Sequence, residues 1–287
     1  MSTNSQTGVL DQLAVAAQPH KRLIWFRIAA LIVLGFAIDA MFIEPYRVEI
    51  THFEVPASIA APLKIAHLTD LHTHGIGPRE RKIFSALAAE NPDVIVITGD
   101  TLAGFGGTYD DCKELYQQLH APLGVWFVLG NWEFDHPIRP ARRERDFYES
   151  SGVHLLAGEN AQLRPGIWLV GISNSFRQPL RTDALLARIP PDAYKIALFH
   201  EPAIFDRVAG HVDLALSGHT HGGQVRIPFV YPFWLPSGSG HYLEGWYDQA
   251  GSKMYVSRGI GMSALPIRFL CRPEVTIITL KPSTGNT

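Results

Sequence analysis

The chain has 287 residues, 46% hydrophobic and 18% charged, enough to bury one large core and too apolar for general disorder. A formal net charge of −2 with no Lys/Arg block excludes a nucleic-acid footprint. Cys112 and Cys271 lack a CxxC spacing, which excludes zinc knuckles and disulfide frameworks and leaves open only a single disulfide between them.

In chain order, residues 1–20 are polar, rich in Ala and Gln, and read as a flexible tail. Residues 23–43, "LIWFRIAALIVLGFAIDAMFI", form an apolar run long enough to cross a bilayer. Its charged members, Arg27 and Asp39, stand near the two ends, where side chains reach headgroups. The sequence after its centre, "AIDAMFIEP", has no small-x-small cleavage site, so an uncleaved transmembrane anchor over residues 21–44 is expected rather than a signal peptide. Lys21, Arg22 and Arg27 precede the apolar centre and Glu44 follows it. This asymmetry puts the N-terminus in the cytoplasm and the rest of the chain on the extracytoplasmic side.

Beyond Pro45, short runs rich in Val, Ile and Leu alternate with helical spacing. The expected buried strands are "LKIAHLT", "DVIVIT", "GVWFVLG", "IWLVGI", "YKIALFH" and "VDLALSG". Helices are expected over 78–90, 110–120, 139–151 and 183–189, the first ending at "NPD" because the residue before proline disfavours helix. "KMYVSR" and "EVTIITL" read as further strands that close a second sheet. The alternation predicts a single α/β domain over residues 45–287, with crossover connections.

Ligand-type side chains gather where these strands end. "AHLTDLH" puts Asp70 and His72 after the first strand, "VITGD" puts Asp100 after the second, and "FVLGN" puts Asn131 after the third. "ALFH" ends in His200, and "LSGHTH" ends in His219 and His221. Loops at the carboxyl ends of an α/β sheet share one crevice, so these side chains are expected to converge. Three oxygen donors and four imidazoles are too many for one small cation and suit two, of the Mn, Fe, Zn or Ni type rather than Ca or Mg. His52, His67 and His154 fall outside the pattern and read as structural.

In this order D-x-H, G-D, G-N, a lone His and G-H-x-H resemble the calcineurin-like metallophosphoesterases, over roughly residues 63–280. "LSGHTHGGQVRIP" and "YVSRGIG" resemble the bacterial, membrane-associated branch, which includes phosphodiesterases and UDP-2,3-diacylglucosamine diphosphatases of lipid A synthesis. The resemblance implies a four-layered αββα sandwich, here preceded by one transmembrane helix. It also implies two divalent metal ions: one on Asp70, His72, Asp100 and His221, the other on Asp100, Asn131, His200 and His219, with Asp100 bridging. Such a pair clamps a phosphoryl group and activates a water for in-line attack. The expected function is hydrolysis of a phosphodiester or diphosphate in a lipid-like substrate at the bacterial inner membrane, with a UDP-2,3-diacylglucosamine-type diphosphatase favoured. A general phosphodiesterase of the cell envelope and a non-catalytic metal-binding scaffold are the alternatives. A lipid A diphosphatase works on the cytoplasmic face, whereas the anchor charges place the domain outside.

The sequence departs from the family at Trp132, where most members carry histidine after Gly-Asn. Indole donates one hydrogen bond but transfers no proton. Three accounts stay open: the site is a non-catalytic remnant, His74 or His136 supplies the proton, or the substrate needs no acid. The third favours a diphosphate, whose leaving phosphate departs as an anion. Glu133 keeps the acidic residue that often follows and is a candidate catalytic or ligand-orienting group. Arg226 and Arg258 are candidate phosphate-binding cations. Trp132 is a candidate substrate contact, as are Phe233 and Trp234 in "IPFVYPFWLPSG". That stretch, with Phe229 and Tyr231, either packs a hairpin core or forms an apolar lip for acyl chains.

Overall fold

A computed structural model describes residues 6–104, 106–135, 144–172, 182–232 and 234–283. Helix α1 (Gln6–Ile38) begins inside the segment expected to be a loose tail and continues through a wider turn, Asp39–Ile43, and a tight one, Glu44–Tyr46. Among the described residues, Arg22–Tyr46 is the one helix long and apolar enough to cross a membrane, and its side chains are almost all exposed.

The strands follow as β1 (Glu49–Ala57), β2 (Leu63–Leu68), β3 (Val94–Ile97), β4 (Val125–Phe127), β5 (His154–Leu155) and β6 (Glu159–Arg164). After them come β7 (Ile167–Ile172), β8 (Tyr194–Phe199), β9 (Leu214–Ser217), β10 (Gly245–Gln249), β11 (Ser252–Val256) and β12 (Glu274–Pro282). They form two six-stranded sheets, ordered β1-β12-β2-β3-β4-β5 and β10-β11-β9-β8-β7-β6. The two C-terminal strands therefore do not share a sheet, as the sequence had suggested. β11 lies in the second sheet, while β12 enters the first, parallel to β1 and antiparallel to β2.

The period-2 alternation of each buried strand separates the layers. Ile65 and Val96 point between the sheets to meet Leu198, Leu216 and Ile278. Ala66, Leu68, Ile95 and Ile97 point outward against α2 (Pro78–Glu90), α3 (Tyr109–Tyr116) and α4 (Glu144–Ser150), through Ile83, Leu115 and Tyr148. On the far face of the second sheet, Ala197, Phe199 and Val256 meet Ile204, Phe205 and Val208 of the turn and short helix after β8. Three core clusters between four layers make the αββα sandwich.

α2 matches the expected 78–90 helix. Pro78 opens it with a preset φ, the Glu80 carboxylate accepts the Gly77 N–H at 2.9 Å, and Asn91 closes it in the left-handed region before Pro92. The helix expected over 139–151 is described only as Glu144–Ser150, and that over 183–189 is the shorter Thr182–Leu186. Strands β1, β5, β6 and β10 had no strand expectation.

Candidate active site

The ligand residues leave β2, β3, β4, β8 and β9 at the same end of the sandwich. Asp70, His72, Asp100, His219 and His221 all take left-handed φ values, from 40° to 72°. Non-glycine residues held there cost on the order of 1 kcal/mol each, a strain that persists only where surrounding structure imposes it. The imposing contacts are backbone hydrogen bonds between adjacent exits: Asp70 N–H to Gly99 O at 3.0 Å, His72 N–H to Asp100 O at 3.0 Å, and Thr73 N–H to Thr101 O at 2.8 Å. Gly130 lets the third exit approach, since a Cβ there would lie 2.1 Å from Asp100 Oδ1.

Two buried triads result, Asp70–His72–His221 and Asp100–His200–His219, with the ligand atoms of each within 4.8 Å of one another. In the first, His221 Nε2 stands 3.3 Å from Asp70 Oδ1 and 3.2 Å from His72 Nε2. In the second, His200 Nε2 lies 3.1 Å from Asp100 Oδ2, 3.1 Å from Asn131 Oδ1 and 3.0 Å from His219 Nδ1. Asp100 Oδ2 also comes within 3.8 Å of His72 Nε2, so this carboxylate touches both groups.

The arrangement fits cations. His72 Nδ1, His200 Nδ1 and His219 Nε2 each face a carbonyl, of Leu102, Thr98 and Ser237 at 3.1, 2.7 and 3.0 Å. A carbonyl only accepts, so those nitrogens carry the proton and the opposite nitrogens turn lone pairs into the cluster. Asp70 Oδ1 is buried with no hydrogen-bond donor. Burial pushes the Asp70 and Asp100 carboxyls up, but neighbouring imidazoles outweigh it and hold both below the usual range, Asp70 well below. Burial pushes His72 and His219 down to about 4. His200 is pushed down by burial too, but Asp100 and then Asp70 carry it up to about 10. The pocket thus draws in positive charge, which a dication supplies while displacing that proton.

Glu133 is buried beneath the Asp100 and Asn131 exits. Its buried carboxylate accepts four backbone N–H groups: Asp100 and Gly130 at 2.8 Å on Oε2, Thr101 and Leu102 at 2.8 and 3.1 Å on Oε1. It fastens the Asp100 and Asn131 exits together and is a positioning residue. Trp132 gives its backbone N–H to Asp100 Oδ1 at 2.9 Å and stands edge-on to His72, ring centroids 6.0 Å apart at 89°. His74 is exposed in the loop near Gly106.

The arginines are committed elsewhere. Arg226 forks onto Glu244 at 2.8 and 2.6 Å, and Arg258 reaches Glu49 at 2.9 Å and Glu274 at 3.2 Å. Both candidate phosphate-binding cations thus carry carboxylate partners. Trp234 and Tyr231 are exposed, as is Phe229, so this stretch is no hairpin core; Phe233 and His136 lie outside the described residues. Cys112 and Cys271 are free and buried, in the α3 layer and beside His221, so the disulfide left open by the sequence does not form. His67 is buried against Thr98, while the exposed His52 and His154 face Glu90 and Glu149, in keeping with their structural reading.

Sequence reasoning passed over Thr69, whose hydroxyl donates to Asp70 Oδ2 at 2.9 Å. It also passed over Arg268, fully buried and bonded to the carbonyls of Gly261, Cys271, Arg258 and Gly259. Thr69 precedes the D-x-H motif and could have been marked by position. Nothing in "LPIRFLCRPE" marks Arg268.

A family model of calcineurin-like phosphoesterases matches residues 63–223, the stretch that carries every metal-type residue named above. The chain belongs to this family. The metallophosphoesterase is 30% identical over 256 residues to YkuE of Bacillus subtilis, covering 84% of this chain and 88% of the relative. It is 31% identical to a metallophosphoesterase of Aquifex aeolicus, covering 76% and 85% respectively. Phosphodiesterase YaeI of Escherichia coli is 29% identical, with 77% of this chain and 83% of YaeI covered. The protein is a metal-dependent phosphoesterase hydrolase with two candidate metal-binding groups.

Two divalent cations, if held by these groups, would supply Lewis acidity and lower the pKa of a water for attack on phosphorus. The chain's own part is to join the two groups through Asp100, to orient three imidazoles through carbonyls, and to exclude bulk water by burial. At position 132 it offers no group that gives up a proton.

Proposed function

We propose that this metallophosphoesterase hydrolyses a diphosphate or phosphodiester bond in an amphiphilic, lipid-linked substrate at the inner membrane of a bacterium, with the catalytic domain on the extracytoplasmic side. The observation that carries the substrate class is the exposed apolar stretch of Ile227, Phe229, Tyr231 and Trp234, which directly follows the loop of ligands His219 and His221. The span Arg22–Tyr46, apolar and almost unburied, supports holding that stretch against lipid. Trp132 supports a diphosphate over an alkyl diester, because a phosphate leaves as an anion without help from an acid. The finer reading, a UDP-2,3-diacylglucosamine-type diphosphatase, requires the catalytic domain on the cytoplasmic face and therefore replaces the extracytoplasmic placement if the orientation test below finds the domain inside. The name of its relative YaeI supports a second reading, a phosphodiesterase of the cell envelope.

The test is hydrolysis by the metal-loaded full chain of UDP-2,3-diacylglucosamine in mixed micelles, beside bis(p-nitrophenyl) phosphate and a dialkyl phosphate. Turnover of the acylated diphosphate well above the dialkyl ester supports the diphosphatase. Cleavage of the dialkyl ester alone replaces it with the envelope phosphodiesterase. A C-terminal alkaline phosphatase fusion, active only outside the cytoplasm, tests the orientation.

A further inference from the structure

We propose that the loop of residues 225–231, with Leu265 and Leu270, is a second membrane contact that enters the same bilayer face as the anchor and opens the metal site onto the headgroup layer. This rests on reading α1 as a membrane anchor.

The contacts between the helix end and the domain carry the inference. Phe36 packs edge-on against Phe269, ring centroids 5.6 Å apart. One turn later the Ala40 carbonyl accepts the Arg268 N–H at 3.0 Å, and the buried Glu44 carboxylate accepts the N–H groups of Leu270, at 2.9 Å, and Cys271. Phe36 lies well inside the apolar run that ends at Ile43, about 10 Å along the axis at 1.5 Å per residue. Whatever is docked at Phe36 shares its depth, and about 5–10 Å is the depth at which interfacial segments bury an apolar face.

The 268–270 segment brings the loop with it. Arg226 N–H donates to Phe269 O at 2.9 Å, and Val225 bridges Phe269. The Gln224 amide donates to the carbonyls of Ser263 and Leu265 at 3.0 and 2.9 Å. The surface so assembled exposes Ile227, Phe229, Val230, Leu265 and Leu270, with Phe229 fully exposed at 109%. The charge on its flank is already paired, Arg226 to Glu244. An exposed apolar patch continuous with an anchoring helix is explained by lipid, which covers both at once. The patch also adjoins the chemistry, since Arg226 Nε donates to Gly222 O at 2.7 Å and Cys271 Sγ to His221 O at 3.2 Å.

Because both native cysteines are buried, a single introduced cysteine takes a thiol-reactive fluorophore. The full chain carrying Phe229→Cys, Val33→Cys or Asp248→Cys is labelled and reconstituted, one molecule per disc, in phosphatidylethanolamine/phosphatidylglycerol nanodiscs with lipids spin-labelled at shallow and at deep acyl-chain positions. Quenching at 33 and 229 with none at 248, on the exposed edge strand β10, is the expected result. Quenching at 33 with a water-like, unquenched signal at 229 overturns the second contact and leaves the anchor standing. A blue-shifted but unquenched 229 reports contact with protein instead of lipid and overturns it too. No quenching at 33 removes the anchor and the proposal together.

Discussion

Trp132 occupies the space that Gly104 leaves: a Cβ at position 104 would fall 2.2 Å from the Cη2 and Cζ3 atoms of the indole. The wide ring where the family carries imidazole is therefore matched by a residue with no side chain on the neighbouring exit. Trp132→His should raise the rate on dialkyl phosphates by up to about 10²-fold, the lower range of general acid catalysis, and change activated diesters little. Gly104→Ala should depress activity in the parent and be tolerated beside Trp132→His. A phosphodiester series of graded leaving-group pKa, run on all four combinations with metal content checked, measures both. Equal parent rates across the series would point to another donor, with His74 the next residue to replace.

Asp100 is the carboxylate that reaches both triads. Asp100→Ala should abolish hydrolysis and cost both metals, whereas His74→Ala should lower activity only modestly. Inductively coupled plasma mass spectrometry on the purified variants reads the stoichiometry directly.

Glu133 accepts four N–H groups, and an amide in its place would turn an NH2 toward donors. Glu133→Gln leaves at least one buried pair unsatisfied, at about 1–3 kcal/mol, and loosens the Asp100 and Asn131 exits. The expected result is a lower unfolding midpoint and a metal affinity reduced by about 10-fold or more, as for other residues that orient ligands.

His67 gives a pH dependence. Burial pushes its imidazole from 6.5 down to about 4, so the native chain refuses a proton that the unfolded chain accepts between those values. This contribution is full above pH 6.5 and is lost as pH falls toward 4, by about 3 kcal/mol in total. Urea unfolding of the full chain in detergent with chelator should show a shallower acid loss for His67→Phe than for the parent. Parallel pH curves would refute the assignment.

Removing residues 1–43 takes away Phe36 and the Ala40 carbonyl but keeps Glu44 on the Leu270 and Cys271 amides. The remaining domain should stay soluble and cleave bis(p-nitrophenyl) phosphate. Glu44→Ala in the full chain should weaken metal binding at the His221 group by about 10-fold, through the Cys271 segment that touches the His221 carbonyl. Isothermal titration with Mn²⁺ separates the two effects.

The candidate metal-binding residues could be picked out because each follows an apolar run that ends in a buried strand, as with His200 after "ALF". The strands that escaped notice, β1, β5, β6 and β10, are the four sheet edges. "EITHFEVPA" and "ENAQLR" alternate polar residues outward because an edge strand meets solvent, so no apolar run announces them. The sheet assignment of "EVTIITL" failed because strand order is set by partners far away in the chain. The commitment of Arg258 to Glu49 was hidden for the same reason, since the pair spans most of the sequence.

β1 is the first part of the domain to be synthesised, and its ladder partner is β12, in parallel register from Glu49↔Glu274 to Ala57↔Pro282. β12 also separates β1 from β2, its near neighbour in sequence. As the ribosome extends the chain, the strand beside the anchor must wait unpaired until almost the whole domain has emerged, while the place next to β2 stays open. Such late, non-local closure is slow and leaves a bare edge exposed in the meantime. A premature stop before Glu274 is then no trimmed tail: it strands β1 on its anchor, detached from the sheet that carries the ligands.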